Sequence, residues 1–463
     1  MSKKKETAQP TYARFEPHMK KDYTILLPTM LPMHFSMMEG VFRANGYNTV
    51  LLENTGQAVI EKGLKYVHND TCYPAQLVIG QFLDAIKSGK YDTSKLALVI
   101  TQTGGGCRAS NYIFLLRKAL ERAGYGHIPV LSLNFSGLEK GNSLELSIGT
   151  LRRLVAAVLY GDLLMHLVNQ CRPYEKNAGD TQRMADKWTA YLRNELHHSR
   201  LYKDRDMQPV YRRIIRDFAS IEVERRPVVR VGIVGEIFVK FSPLGNNDLE
   251  KFLIHEGAEP VVPDFVGFCL YCIYNSVIDH ELYKTGWIKA KGAGIIYRYL
   301  VRRQHRMIDA VREEGSFAAP TPFDVTMSSL KGMISNGMKM GEGWLLTAEM
   351  IELIEHGVKN IVCTQPFGCL PNHIAGKGMM KPLKEKYPDV NIVAIDYDAG
   401  ATRVNQENRI KLMLANAVPV AFRGMHEEKA DHGADRDGGT KPPAINVQTE
   451  KQSGEREKEL AGV

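Results

Sequence analysis

Short apolar runs, each followed by a stretch with helical spacing, recur along this chain in two blocks, and that rhythm is its tightest constraint. In the first block Tyr23–Pro28, Thr49–Glu53, Leu96–Thr101 and Pro129–Leu133 read as strands, with Phe35–Asn45, Pro74–Lys87 and Tyr112–Ala123 as helices between them. In the second block the strands are Val229–Val234, Pro260–Pro263, Lys359–Thr364 and Asn391–Ile395, with helices at Asn247–His255 and Val404–Ala417. Continuous apolar strands belong in a sheet covered on both faces, and helical crossovers make such strands parallel. The expected fold class is α/β, with two doubly wound parallel-sheet domains of the Rossmann or flavodoxin type. Residues 1–22 read as a flexible N-terminus, 23–160 as the first domain and 161–227 as a helical linker. Residues 228–423 read as the second domain, with a helical insertion near 275–350, and the charged stretch 424–463 as a disordered tail.

A chain of 463 residues can bury large cores without disulfides. Its net charge of +8 is spread thinly, with no basic run longer than Lys3-Lys4-Lys5 and no nucleic-acid-binding motif, so nucleic acid is not an expected partner. Residues 1–22 lack the apolar core of a secretory signal, and no uninterrupted apolar run approaches the ~20 residues that span a bilayer. The expectation is a cytoplasmic protein with no membrane span. In that compartment the seven cysteines point to metal binding or catalysis rather than to disulfides.

The placement of the cysteines is more informative than their number. Cys107 follows the strand Leu96–Thr101 and the glycines Gly104, Gly105 and Gly106, and a helix comes after it. Cys369 follows the strand at 359–364 and the turn Gln365-Pro366-Phe367-Gly368. Ligands of doubly wound sheets bind beyond the carboxyl ends of the strands, where both residues belong. Cys72 precedes the helix that begins near Pro74, a position that favours thiolate. Thiolates are the usual ligands of iron–sulfur clusters, and three of them from two facing domains could hold a cubane. Cys269 and Cys272 form a single C-x-x-C in an apolar stretch, for which ligand and core roles fit equally. Cys363 lies within a strand, where core packing fits better, and Cys171 reads as a small buried hydrophobe. A zinc site lacks a paired C-x-x-C or histidine pair.

No P-loop, dinucleotide fingerprint or nucleophile elbow is present. The Gly104–Gly106 run with Arg108 suits either a cluster or a phosphate-bearing ligand such as coenzyme A. Glu342, between two glycines before a helix, reads either as an acid lining the cleft or as a carboxylate at a helix start. His373 reads either as a donor to a cluster sulfur or substrate or as a surface cap.

The segments Asn69–Gln76 (NDTCYPAQ), Thr101–Tyr112 (TQTGGGCRASNY), Val234–Asn247 (VGEIFVKFSPLGNN) and Gln365–Gly378 (QPFGCLPNHIAGKG) resemble the 2-hydroxyacyl-CoA dehydratase-like family. The likeness is nearest to its activase-associated branch, with double-cubane cluster proteins as relatives. This resemblance implies a 4Fe–4S cluster between two α/β domains, held by Cys72, Cys107 and Cys369. It implies a redox protein that takes low-potential electrons from a partner ATPase, the activase, for reductive activation or dehydration of an acyl-CoA. It also implies a dimer. Adding Cys269, Cys272 and Cys363 would give six thiolates, enough for a double-cubane 8Fe–9S cluster of the kind found in reductases of small molecules. A third reading is a cluster-free CoA-binding or scaffold subunit of an activase complex.

Overall fold

The chain is described as a computed structural model, which covers residues 12–102, 106–134, 144, 146–330 and 332–420. The first half runs β1 (Thr24–Leu27), α1 (Pro32–Ala44), β2 (Asn48–Leu51), α2 (Gln57–Tyr66), α3 (Tyr73–Lys87), β3 (Leu96–Gln102), α4 (Tyr112–Ala123) and β4 (Val130–Asn134). Three long helices follow: α5 (Ile148–Cys171), α6 (Asp180–His198) and α7 (Asp204–Ala219). The second half holds β5 (Val229–Gly235), α8 (Ile237–Phe241), α9 (Leu249–His255), β6 (Ala258–Val261), α10 (Phe265–Tyr283) and α11 (Trp287–Glu314). It continues with α12 (Trp344–Glu355), β7 (Asn360–Pro366), α13 (Leu370–Ala375), β8 (Asn391–Tyr397) and α14 (Arg403–Ala415).

Both halves are α/β units on a four-stranded sheet, ordered β2-β1-β3-β4 in the first and β6-β5-β7-β8 in the second. Every strand pairing between named strands is parallel. In each sheet the strand order reverses between the first strand and the third, which opens a crevice at their carboxyl ends. One continuous cluster of buried side chains contains Leu26, Leu98 and Ile100 from the first sheet and Val231, Ile233 and Val362 from the second. Fully burying each such aliphatic side chain contributes about 1.5–3 kcal/mol.

Two features differ from the sequence expectation. The boundary at 160/161 falls inside α5, a helix that Ser147 starts by accepting a hydrogen bond from the Thr150 N–H at 3.1 Å. A single apolar run crosses that point, so composition changes only after the helix ends. By length and composition the segment Ile148–Tyr174 could cross a membrane, but 83% of its apolar window is buried inside the body, as in a core helix. Helix α2 was not expected, because Gly63 weakens its helical signal. That glycine lets α2 lie against α3: a Cβ there would stand 2.3 Å from the Gln76 carbonyl oxygen. Gly80 does the same from the other side, where a Cβ would meet the Val59 carbonyl oxygen at 2.2 Å. The segment 424–463, expected to be a tail, lies outside the described residues, as do Gly104 and Gly105.

A candidate cysteine chamber between two strand-end crevices

Cys72 is the residue that caps α3, with Pro74 in the first turn, and its side chain is 5% exposed. Its Sγ lies 3.0 Å from the Tyr112 hydroxyl at the start of α4. The loop of Cys369 reaches it directly, since the Tyr73 N–H donates to the Phe367 carbonyl at 3.1 Å. Gly368 makes that approach possible. Its φ is +74°, and a Cβ would come within 3.1 Å of the Cys72 Cα, so both the turn and the contact require glycine.

Cys107 follows β3, is half-buried and precedes a single turn of helix at Arg108–Asn111. The loop carrying Glu342 folds against it. A Cβ on Gly341 would lie 3.9 Å from the Cys107 sulfur and 3.0 Å from Pro371 Cγ. A Cβ on Gly106 would stand 3.0 Å from Met340 Sδ. Cys369, 6% exposed, caps α13 just beyond β7. Three loops from both halves therefore bring Cys72, Cys107 and Cys369 to facing strand ends.

Two carboxyls share this space. Glu236 ends β5 and accepts from the Val239 N–H at 2.9 Å, while Glu342 accepts from the Ile237 N–H at 3.0 Å. Both thus sit over the start of α8, and both are nearly buried, at 9% and 6% exposed. Behind them Lys240 donates to both Glu349 oxygens, at 2.9 and 3.0 Å, in a buried ion pair.

Burial disfavours charge throughout the chamber. It pushes the Cys107 thiol up to about 12, with Glu342, Glu236 and Cys72 adding to the rise. Cys369 is pushed up further by burial, then by Glu342, Glu236 and Cys107. Cys72 is raised by burial, partly offset by the hydrogen bond from Tyr112. Both carboxyls are raised, chiefly by desolvation, and the repulsion of Glu342 adds to it at Glu236. As it stands, the chamber holds protons rather than negative charge.

The other candidates fall into place around it. Arg108 is exposed and donates to the Asp70 carbonyl at 2.9 Å, tying the Cys107 turn to the loop before Cys72. His373 is exposed, with Nδ1 at 2.8 Å from both the Cys369 carbonyl oxygen and the Gln365 amide nitrogen. It braces the backbone of Cys369. Cys272 is exposed on α10 and is influenced by Glu342, while Cys269 is half-buried one turn earlier. Cys363 is fully buried within β7, its sulfur 3.5 Å from Asn372 Oδ1. Cys171 packs at the end of α5, 3.8 Å from the Phe218 carbonyl oxygen. Among the described residues, no three histidine, cysteine or acidic side chains converge closely enough to hold a single metal ion.

Glu236, Tyr112 and the Lys240–Glu349 pair were not singled out from the sequence. The signal for Glu236 was present: an acid directly after an apolar strand occupies the ligand end of that strand.

Fold and site together define a two-sheet α/β protein that closes the ends of its strands around thiols and carboxyls. Residues 24–93 match the family model described as a CoA enzyme activase uncharacterised domain (DUF2229), which relates the chain to the CoA enzyme activase family. The match takes in β1, β2, Cys72 and α3. No curated protein matches the chain.

Proposed function

We propose that this protein is an iron–sulfur redox component of a CoA enzyme activase system. It takes low-potential electrons from an ATP-dependent partner and serves the reductive activation or dehydration of an acyl-CoA. The observation that carries this reading is the meeting of Cys72, Cys107 and Cys369, from three loops of two sheets, in one dry chamber. The donor set suits a cluster better than a lone ion, because each thiolate of a cluster takes a different iron and the three need not converge on one point. The raised thiols suit it too, since a cationic iron core would favour their deprotonation.

Cys72, Cys107 and Cys369 would hold the group, which supplies one-electron chemistry when bound. To a Cys72 thiolate, Tyr112 would donate the 3.0 Å hydrogen bond and so fix the direction of the sulfur. Glu236, raised to about 8 by burial and the nearby Glu342, keeps a proton available beside the thiols at neutral pH. Arg108 holds two cysteine loops together and puts a cation at the rim, where it suits an anionic ligand. His373 steadies the Cys369 backbone. Cys363, fully buried within β7 and engaged with Asn372, has a packing role in its place in the strand, which fits a single cubane better than the double form.

Anaerobic reconstitution with iron and sulfide tests this directly. About four irons per chain support the single cubane, and about eight the double form. No iron would leave a cluster-free scaffold and sink the proposal. Cys107→Ser should abolish the visible charge-transfer absorption, and Cys363→Ser should leave it in place. Acyl-CoA binding to the loaded protein tests the substrate class separately.

A further inference from the structure

Helices α10 and α11 pack on one another and are joined by Lys284, Thr285 and Gly286. The part of α11 far from this turn is anchored, since Met307, Ile308 and Val311 are buried in one cluster with Leu270 and Ile278 of α10. The part near the turn is not. Every residue from Glu281 to Lys289 is exposed. Tyr283, Trp287, Ile288 and Ile295 keep 56–69% of their surface in solvent. Charge is distributed as unevenly as apolar surface. From Leu282 to Ile308 the sequence has no Asp or Glu, yet it carries seven Lys and Arg. Arg303 and Arg306 both pair with Asp204. Lys284, Lys289, Lys291, Arg298 and Arg302 are exposed. At about 100° per residue, Trp287, Ile288, Lys291, Ile295, Arg298 and Arg302 fall within about a third of the circumference of α11, opposite the buried Leu300 and Met307.

We propose that this face lies on an anionic phospholipid surface, with the first three turns of α11 along it. Trp287, Ile288 and Ile295 enter the interfacial layer, and Lys291, Arg298 and Arg302 meet the headgroup phosphates. Charge complementarity selects this occupant. Lysine is depleted at the core of protein–protein interfaces, where its ammonium would have to leave water. Beside tryptophan and isoleucine at a bilayer surface it is favoured, because the stem lies among apolar groups while the ammonium meets phosphate. Lys291 already has that posture, with its ammonium 4.9 Å over the Trp287 ring. The basic residues interrupt the apolar ones along the whole stretch, so the contact is interfacial and not a span.

Flotation of the full-length chain with vesicles tests this and needs no cluster. Vesicles of phosphatidylglycerol and phosphatidylcholine should carry the protein up the gradient, and vesicles of phosphatidylcholine alone should not. Salt at about 0.5 M should release most of it. Of the three tryptophans, Trp188 and Trp344 are buried and Trp287 is exposed. A blue shift of the emission on anionic vesicles should therefore vanish in Trp287→Phe, which keeps most of the binding. Lys291→Gln with Arg298→Gln should weaken binding about 25-fold, at about fivefold for each cation lost. Ile288→Glu should weaken it at least about tenfold. Circular dichroism should be unchanged in all of these, because each side chain is exposed. Val404→Glu, an exposed apolar position on α14, should bind like wild type. Failure to float with the anionic vesicles overturns the proposal and leaves the face to an acidic protein. Equal flotation with phosphatidylcholine alone overturns the role of charge. A blue shift that survives in Trp287→Phe, or full binding by Ile288→Glu, means that lipid meets another part of the chain and overturns the proposal equally.

Discussion

The two halves share one strand order and differ in what they place at its turning point. In the first half, Cys107 follows β3 and Cys72 caps α3, the helix that leads into β3. In the second, Cys369 follows β7, and Glu342 stands two residues before α12, the helix that leads into β7. The loops correspond, thiol to thiol and thiol to carboxyl, with Glu342 one residue further from its helix than Cys72 is from its own. A second acid, Glu236, follows β5. The fold thus supplies the addresses and the loops supply the chemistry. The first half contributes sulfur with a phenol beside it, and the second contributes one sulfur with two acids and a buried cation behind them.

That asymmetry gives the second half the greater electrostatic risk. Lys240 and Glu349 are 3% and 4% exposed, and each is the other's counter-charge. Lys240→Met should cost about 3–5 kcal/mol in denaturant unfolding, because it strands a buried carboxylate. Lys240→Met combined with Glu349→Leu should recover most of that loss. If the single change costs no more than a surface substitution, the pair does not hold the second half as described.

A smaller effect isolates the contact between the halves. Gly368 and Gly357 both have positive φ, +74° and +81°. A Cβ on Gly357 would meet nothing within 4 Å, whereas one on Gly368 would press on the Cys72 backbone. Gly357→Ala should cost about 1 kcal/mol, from φ alone. Gly368→Ala should cost about 1–2 kcal/mol more, since backbone rather than a side-chain tip must yield. It should also lower the iron content after reconstitution. Equal costs at the two positions would mean that the Cys369 loop does not pin Cys72.

The strands, and hence the fold class, were legible because apolar runs of four to seven residues carry their own signal. The three cysteines of the chamber were legible because strand ends are where doubly wound sheets bind ligands. What was hidden depended on contacts distant in sequence. Helix α2 was masked by a glycine whose purpose is to meet α3. Glu236 carried a local signal as an acid after an apolar strand, but its pairing with Glu342 over the start of α8 joins segments more than a hundred residues apart. The burial of Lys240, which makes it a structural cation, requires both α8 and α12 to be in place.

The smallest expected effect sets the chamber against the helical region beside it, through opposite responses to pH. The folded state raises the chamber carboxyls from 4.5, that of Glu236 to about 8. Between those values the folded chain binds more protons than the unfolded one, so this contribution to stability falls as pH rises. His166 on α5 behaves in the opposite sense. Desolvation lowers its imidazole from 6.5 to about 4, so the unfolded chain binds the extra proton and stability falls as pH drops through that window. Urea midpoints of the metal-free protein across pH should separate the two. Glu342→Gln keeps an acceptor for the Ile237 N–H and removes a source of repulsion at Glu236, so it should gain on wild type above neutrality and change little near pH 5. His166→Gln should gain on wild type only on the acid side. If both variants shift the midpoint equally at every pH, the chamber and the linker do not titrate as separate regions.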